Sequence, residues 1–437
     1  MNADPKSHRR AITAWTMYDW ANSAFATTIM AAVLPIYYST VAAADLPPYI
    51  ATAYWGYTTS IALLISALLS PILGALADFR GAKKRFLMLF VILGVTGTAL
   101  LYLVRTGDYW MASVFFILGN IGFSGSLVFY DSLLPHIARP DEIDQVSTRG
   151  YAMGYLGGGL LLAANLAMIM LSDPSQTEIM TRLSFVTVAV WWLVFSIPIW
   201  RVVPEPPRRV LSEEQGVSAI RVTFRRLVVT FREIRRYRDL FLFLIAFWFY
   251  NNGIGTIITM ATIYGTEIGI GQTALIGTLL MVQFLGVPFA FAFGWLAKKL
   301  GTKQSIYLSL TIYTGIAILG YFLSSEWQFW ALGALVATVQ GGSQALSRSL
   351  IGRMMPVSKS AEFYGFLSVS EKFAGIAGPA LFGLVAQLMG NSRLSIVSLI
   401  IFFVVGALIL SRVNVDQGIR VALDEEKLLS QPAVEPA

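Results

Sequence analysis

The chain contains no cysteine, only two histidines and few charges. Without cysteine there is no disulfide framework, no thiolate metal site and no thiol nucleophile, and the redox compartment is left open. His8 falls in the N-terminal tail and His136 is expected in a loop, so neither sits in a long apolar run. Metal or Ser-His chemistry inside a bilayer therefore has no residues to work with. No Gly-rich loop closing on Lys-Ser/Thr is present, and no soluble domain could hold one, which argues against a nucleotide-driven pump. Charged residues make up 13% of the chain, against about 25% in soluble globular proteins.

What is present is apolar: 56% of the 437 residues, much of it in unbroken blocks. A bilayer core of about 30 Å takes about 20 consecutive apolar residues as a helix. Ile61 to Ala77, Phe86 to Val104 and Leu394 to Leu410 read that way, with no charge inside. The chain is thus expected to be an integral membrane protein. The basic N-terminus runs into a long apolar stretch without a small-residue cleavage site, so a removed signal peptide is not expected.

Twelve spans are predicted: Ile12–Val41, Ile50–Ala77, Phe86–Val104, Trp110–Leu134, Gly150–Leu171, Leu183–Val203, Leu240–Tyr264, Ala274–Ala297, Ser305–Leu323, Phe329–Leu350, Phe363–Met389 and Leu394–Leu410. They divide six and six around a polar linker. The predicted organisation is a bundle over 1–203, a basic linker over 204–239, a second bundle over 240–411 and a tail over 412–437. The fold class is all-α membrane protein. Of the 32 basic residues, Arg105, Arg182 and Arg393 fall on one side and Lys372 within a span; the rest share the other side. Basic loops mark the cytosol, so both termini are expected there. A bacterial inner membrane and a monomeric state complete that expectation.

The net charge of +7 does not imply nucleic acid, because the basic residues follow the membrane ends. In the linker, Val217, Ile220, Phe224, Leu227, Phe231 and Ile234 recur at helical spacing, with seven arginines among Arg221 to Arg238. Such a helix suits an anionic leaflet, or else packs against the bundle ends. Membrane lipids are therefore expected partners. The chain also repeats itself. Gly74-Ala-Leu-Ala-Asp78-Phe-Arg80-Gly81-Ala-Lys83 aligns with Gly294-Trp-Leu-Ala-Lys298-Lys-Leu-Gly301-Thr-Lys303, each between the second and third span of its half. Gly122 and Gly342 keep that register, and Tyr18-Asp19 is echoed by Tyr250-Asn251. Parallel halves of this kind are a known transporter architecture.

Gly74-x-Leu-Ala-Asp78-x-x-Gly81-x-Lys83-Lys84 resembles the signature loop of the major facilitator superfamily. Further stretches narrow the branch: Tyr18-Asp19-Trp20-Ala21-Asn22-Ser23-Ala24-Phe25, Arg149 to Gly158, Gly341 to Arg348, and Ala361-Glu362-Phe363-Tyr364-Gly365. Together they resemble the branch named for autophagy-related vacuolar amino-acid effluxers, over nearly all of Ala14 to Leu410. The resemblance implies a two-bundle fold of twelve helices and transport by alternating access. It also implies that Gly74, Asp78, Arg80, Gly81 and Lys83 form a cytoplasmic gate, with Asp78 facing the N-terminus of the eleventh span. Two positions depart from the branch pattern: Asn252 replaces a carboxylate in the seventh span, and Asp131 replaces an asparagine in the fourth.

Polar side chains inside spans are costly in hydrocarbon, so those that persist face a cavity or a partner. At about 1.5 Å per residue, Asp19 and Asn22 lie ~10–15 Å in, Asn120 ~15 Å, Asn251 and Asn252 ~17 Å, Gln340 ~16 Å and Glu371 ~12 Å. Gln344 follows Gln340 one turn later. The resemblance places the first, fourth, seventh and tenth spans around a central cavity, so these residues are candidate cargo contacts. Each can equally be interhelical hydrogen-bond glue. Asp19 can accept from Asn22 or Ser23 one turn on, and a carboxylate at that depth could carry a proton. It could also simply anchor the first span to a donor on a neighbour. Glu371 is the second candidate for the proton. Glu371 and Lys372 are about 100° apart on their helix, so each needs its own partner or a wet path. Arg348 is expected to snorkel, and Asp131 with Arg149 to form a structural ion pair.

The expectation is a secondary transporter of a small solute, an amino acid or similar polar metabolite, with the proton as the candidate coupling ion. No cofactor, metal, catalysis or nucleic acid is expected. The alternatives are efflux of lipophilic compounds by the same fold and a membrane scaffold or receptor.

Overall fold

In the computed structural model, residues 5–207, 217–232, 236–389 and 392–430 are described. Among them there are helices and turns but no strand. Arg208, Arg209, Ile234 and Arg235 of the predicted linker lie outside the described residues. In chain order the helices are α1 (Pro5–Ala42), α2 (Pro48–Arg80), α3 (Lys83–Leu100), α4 (Tyr109–Ile137), α5 (Ile143–Met170), α6 (Thr177–Val202), α7 (Ala219–Arg232), α8 (Arg238–Glu267) and α9 (Gln272–Leu300). They continue with α10 (Thr302–Tyr321), α11 (Glu326–Met354), α12 (Ser360–Met389), α13 (Ser392–Ser398), α14 (Ile400–Ser411) and α15 (Val415–Ser430).

Ten helical stretches of the described residues are long and apolar enough to cross a membrane. The predicted ninth and tenth spans are also helical, as α10 and α11, but are more polar than those ten. Gln328, Gln340, Gln344 and Arg348 dilute the apolar content of α11. Within α1 the backbone widens to π-helix over Phe25–Ala32 and Tyr38–Ala42. Pro35, which has no N–H for the carbonyl four residues back, lies in the short α-helical piece between them. Two regions differ from the sequence expectation. His136 belongs to the last turn of α4 rather than to a loop. The tail forms α15, whose Ala422 and Glu425 are buried.

The chain divides into two compact units. One comprises Met1–Leu69, Ala82–Tyr130 and Met153–Glu205; the other comprises Ser70–Gly81, Asp131–Ala152 and Pro206–Ala437. Thus α2, α4 and α5 each contribute one end to the second unit. In the first unit α6 packs on α1 and α3; in the second, α14 packs on α8 and α10. The same relation between predicted spans recurs, so the sequence repeat is also a packing repeat.

The duplicated loop shows the repeat most closely. Gly81 and Gly301, the equivalent turn glycines, both hold positive φ, at 60° and 92°. A side chain is strained there, which explains the glycine in both copies. Gly74 and Gly294 are equivalent too. A Cβ on Gly74 would come within 2.1 Å of the Ala361 carbonyl oxygen, and one on Gly294 within 2.4 Å of Thr148 Oγ1. Each copy therefore brings its helix into close contact with another, α2 with α12 and α9 with α5.

Candidate functional site

The signature loop is built around a buried charge. Asp78, in the last turn of α2, is buried and its Oδ2 accepts the backbone N–H of Glu362 at 2.8 Å. That N–H belongs to the first turn of α12, where helix amides lack internal partners and the dipole favours an anion. Glu362 is itself fully buried, with Thr230, Lys359, Asp78 and Arg226 as polar neighbours. Of the other loop residues, Arg80 is exposed and Lys83 buried. Ser360, one turn before Phe363, bonds both the Ser132 carbonyl (3.0 Å) and His136 Nε2 (3.3 Å).

The second copy carries Lys298 where the first has Asp78, and Lys298 is exposed. An acid is supplied from α5 instead. Asp144, in the first turn of α5, accepts from Thr302 Oγ1 at 2.8 Å and also from Ser349 and Arg353. Nothing in the duplicated motif pointed to Asp144. The same holds for Glu205, beyond α6, whose carboxylate accepts the Lys84 N–H at 3.0 Å and so caps α3.

Arg348 does not snorkel. It is 4% exposed, with Nη1 on Asp131 Oδ1 at 3.2 Å, Nε on Ser147 Oγ at 2.9 Å and Nη2 on the Ser147 carbonyl at 2.8 Å. Its guanidinium lies 4.5 Å from the Tyr151 ring centroid, and its own carbonyl accepts from Tyr364. Asp131, expected to meet Arg149, is ion-paired with Arg348 from α11. The guanidinium's planar fork of donors matches this set of acceptors, which offsets the cost of burying the charge.

In the first unit, Asp19 is buried and its Oδ2 accepts from Tyr130 Oη at 2.7 Å. Tyr130 is fixed by Trp15, which stacks on it at 4.4 Å and donates to its carbonyl. The donor on Asp19 is therefore a neighbouring helix, rather than Asn22 or Ser23. Asn22 is buried with no hydrogen-bond partner for its Nδ2 among the described residues. Asn120 is fully buried and accepts from Ser124 at 3.4 Å.

In the second unit, Asn252 is fully buried and both ends of its amide are used. Its Nδ2 donates to the Trp248 carbonyl, and its Oδ1 accepts the Gly378 N–H at 3.0 Å. It serves as a tie between α8 and α12. Asn251, Gln340, Gln344, Glu371 and Lys372 differ. All are half-buried, and their side chains make no hydrogen bond or ion pair among the described residues. Glu371 sits seven residues after Tyr364 and seven before Gly378, hence within about 20° of both around α12. Those two are buried against α11 and α8, so Glu371 faces the protein interior. Gln340 also lines a cavity of about 110 Å³ whose other walls are mostly apolar, among them Ile257, Val282, Leu332 and Phe382. Tyr264, Thr278 and Thr256 border it, but each hydroxyl is spent on a backbone carbonyl.

Solved structures of similar fold include the proton:xylose symporter XylE (TM-score 0.73, 14% identity, 98% of this chain and 100% of that one). Another is the human organic anion transporter MFSD10 (TM-score 0.71, 14% identity, 93% and 100%). The fold is that of the major facilitator superfamily, and the protein is a transporter of that type. Residues 49–423 match the family model described as "Vacuole effluxer Atg22 like". The chain is 39% identical over 419 residues to the uncharacterized MFS-type transporter YxiO of Bacillus subtilis, covering 95% of this chain and 97% of that one. It is 24% identical to autophagy-related protein 22-1 of Aspergillus niger, over 85% and 74% of the two chains. The chain belongs to the Atg22-like family.

Proposed function

We propose that this protein is a proton-coupled secondary transporter of a small polar metabolite, with amino acids as the cargo class. The observation that carries the reading is Glu371, an ionisable side chain about 17 Å along α12 that faces the interior without a hydrogen bond or ion pair among the described residues. An intramembrane carboxylate left in that state marks an ion or substrate path by default. Asp19 is the second candidate for the proton, and Asn22, Asn120, Asn251, Gln340 and Gln344 supply amides for the cargo. The sequence resemblance to a branch of vacuolar amino-acid effluxers supports an amino-acid cargo by analogy alone. In this reading the chain is a monomer with twelve spans in two six-helix bundles. Both termini are cytosolic in a bacterial inner membrane, and the loop of Gly74, Asp78, Arg80, Gly81 and Lys83 acts as the cytosolic gate.

The test is flux in reconstituted vesicles. Labelled amino acids should accumulate when an inward proton gradient is imposed and not when it is collapsed. Flux of every amino acid at background, with the protein folded, would reject the cargo. Flux indifferent to pH would reject the coupling. Orientation is checked separately on the natural cysteine-free chain. Cysteines at the exposed Asp141 and Lys299 should label from the cytosol, and one at Glu267 from the opposite side.

The apolar cavity beside Gln340 favours a second reading, efflux of lipophilic compounds. Inhibition of dye efflux by Leu332→Trp, which fills that cavity, with no effect on amino-acid flux, would select it.

A further inference from the structure

Helix α7 is a 14-residue helix that precedes α8 by a short connection. Its faces have separate fates. Val222, Thr223, Leu227 and Thr230 are buried and Arg226 is half-buried. At about 100° per residue these occupy an arc of about 140°. This is the docked face. The Arg226 guanidinium lies 5.4 Å from the Phe79 ring centroid, and Thr230 neighbours Glu362. The helix is thereby fixed beside the Asp78 contact.

The opposite arc, also about 140° wide, holds Arg221, Phe224, Arg225, Val228 and Val229, all exposed. Phe224 is 51% exposed and Val228 47%. Two features mark what this arc meets. It mixes bulky apolar side chains with guanidinium groups and carries no acid. The chain also tethers it on both sides to membrane-spanning helices, α6 before and α8 after. A face made only for water would not hold Phe224, Val228 and Val229 together. An apolar protein partner would not need two arginines among them. Guanidinium groups pair with phosphate in a planar, bidentate manner, and apolar neighbours enter the boundary between headgroups and acyl chains.

We propose that this outer face of α7 is a binding surface for the headgroups of anionic phospholipids, with Arg221 and Arg225 on the phosphates and Phe224, Val228 and Val229 at the acyl boundary. The surface is independent of which solute the transporter carries.

The experiment uses the full chain with a single cysteine, Val228→Cys, labelled with an environment-sensitive fluorophore. It is reconstituted in phosphatidylcholine alone or mixed with phosphatidylglycerol. Emission should shift to the blue in the anionic vesicles, and added salt should reverse the shift. The double variant Arg221→Gln/Arg225→Gln should lose it, the engaged fraction falling about fivefold per arginine. The variant Arg221→Lys/Arg225→Lys should keep part of it, since the charge remains while the bidentate pairing is lost. Identical emission in both vesicle types would overturn the proposal. So would a shift that survives the Gln substitutions, since an apolar contact alone would then explain it.

Discussion

Asp78 on α2 and Glu362 on α12 are joined by a single 2.8 Å hydrogen bond, carboxylate to backbone amide, although 284 residues separate them in the chain. The bond combines a charge-assisted acceptor with the positive end of a helix. Replacement by asparagine keeps the acceptor and removes the charge. Asp78→Asn should therefore lower stability by only about 0.3–1 kcal/mol, while slowing flux in reconstituted vesicles. Asp78→Ala, which also orphans a buried N–H, should cost about 1.5–3 kcal/mol. Equal melting temperatures for the two variants, or parental flux in Asp78→Asn, would remove this contact from the transport cycle.

The close approach beneath that bond gives a second prediction. A methyl group on Gly74 would sit 2.1 Å from the backbone oxygen of Ala361, and backbone gives way less readily than a side-chain tip. Gly74→Ala should destabilise the protein by about 1–3 kcal/mol through overpacking. It should also lengthen the distance between labels on α2 and α12 measured by double electron–electron resonance. Unchanged distance and stability would show that the helices part at no cost.

Legibility in the sequence followed the range of the interactions. Apolar runs and the duplicated loop are local signals. They located the helices and even the paired glycines, since Gly81 and Gly301 need positive φ for reasons contained in one turn. The partners of Arg348 were not local. Asp131 lies 217 residues away, and an arginine near a helix end reads as solvated unless its neighbours are known. For Asp19 the sequence left two kinds of donor open, a hydroxyl or amide one turn on and a group on a neighbouring helix, and Tyr130 supplies the second. Asn252 and Asn251 are adjacent and chemically identical, and only packing distinguishes a satisfied tie from a free amide. The helix of the tail, α15, is too short and too charged to register as a span. Its docking depends on Glu425 and Glu426 meeting Lys359 and Ser358.

The Arg348 cluster predicts an asymmetry. Arg348→Met would remove the guanidinium from Asp131, whereas Asp131→Asn leaves Arg348 with both Ser147 contacts and the Tyr151 ring. The arginine variant should lose about 3–5 kcal/mol. The asparagine variant should lose less, because Arg348 keeps the Ser147 contacts, the Tyr151 ring and an amide oxygen at position 131. Thermal unfolding of both in the same detergent measures the order, and a reversed order would show that the ring and serine contacts do not hold the guanidinium.

The last prediction divides the proton between two carboxylates. Asp19 accepts a hydrogen bond from Tyr130 at 2.7 Å in one unit, while Glu371 in the other has none among the described residues. Protonating Asp19 weakens a bond that ties α1 to α4. Protonating Glu371 breaks no protein contact and only neutralises a charge held away from bulk water. A group that loads and unloads a proton each cycle is better served by the second arrangement, since no hydrogen bond of the fold is lost at each exchange. Glu371→Gln should therefore abolish accumulation driven by a pH gradient yet preserve counterflow exchange, because cargo binding can survive when protonation cannot. Asp19→Asn keeps an oxygen for Tyr130, so it should retain gradient-driven flux if its role is anchoring and lose it if Asp19 carries the proton. Counterflow with labelled amino acid, measured beside net uptake for both variants, separates the outcomes. Gradient-driven uptake surviving in Glu371→Gln and lost in Asp19→Asn would transfer the coupling to α1. Survival in both would mean that neither carboxylate moves the proton.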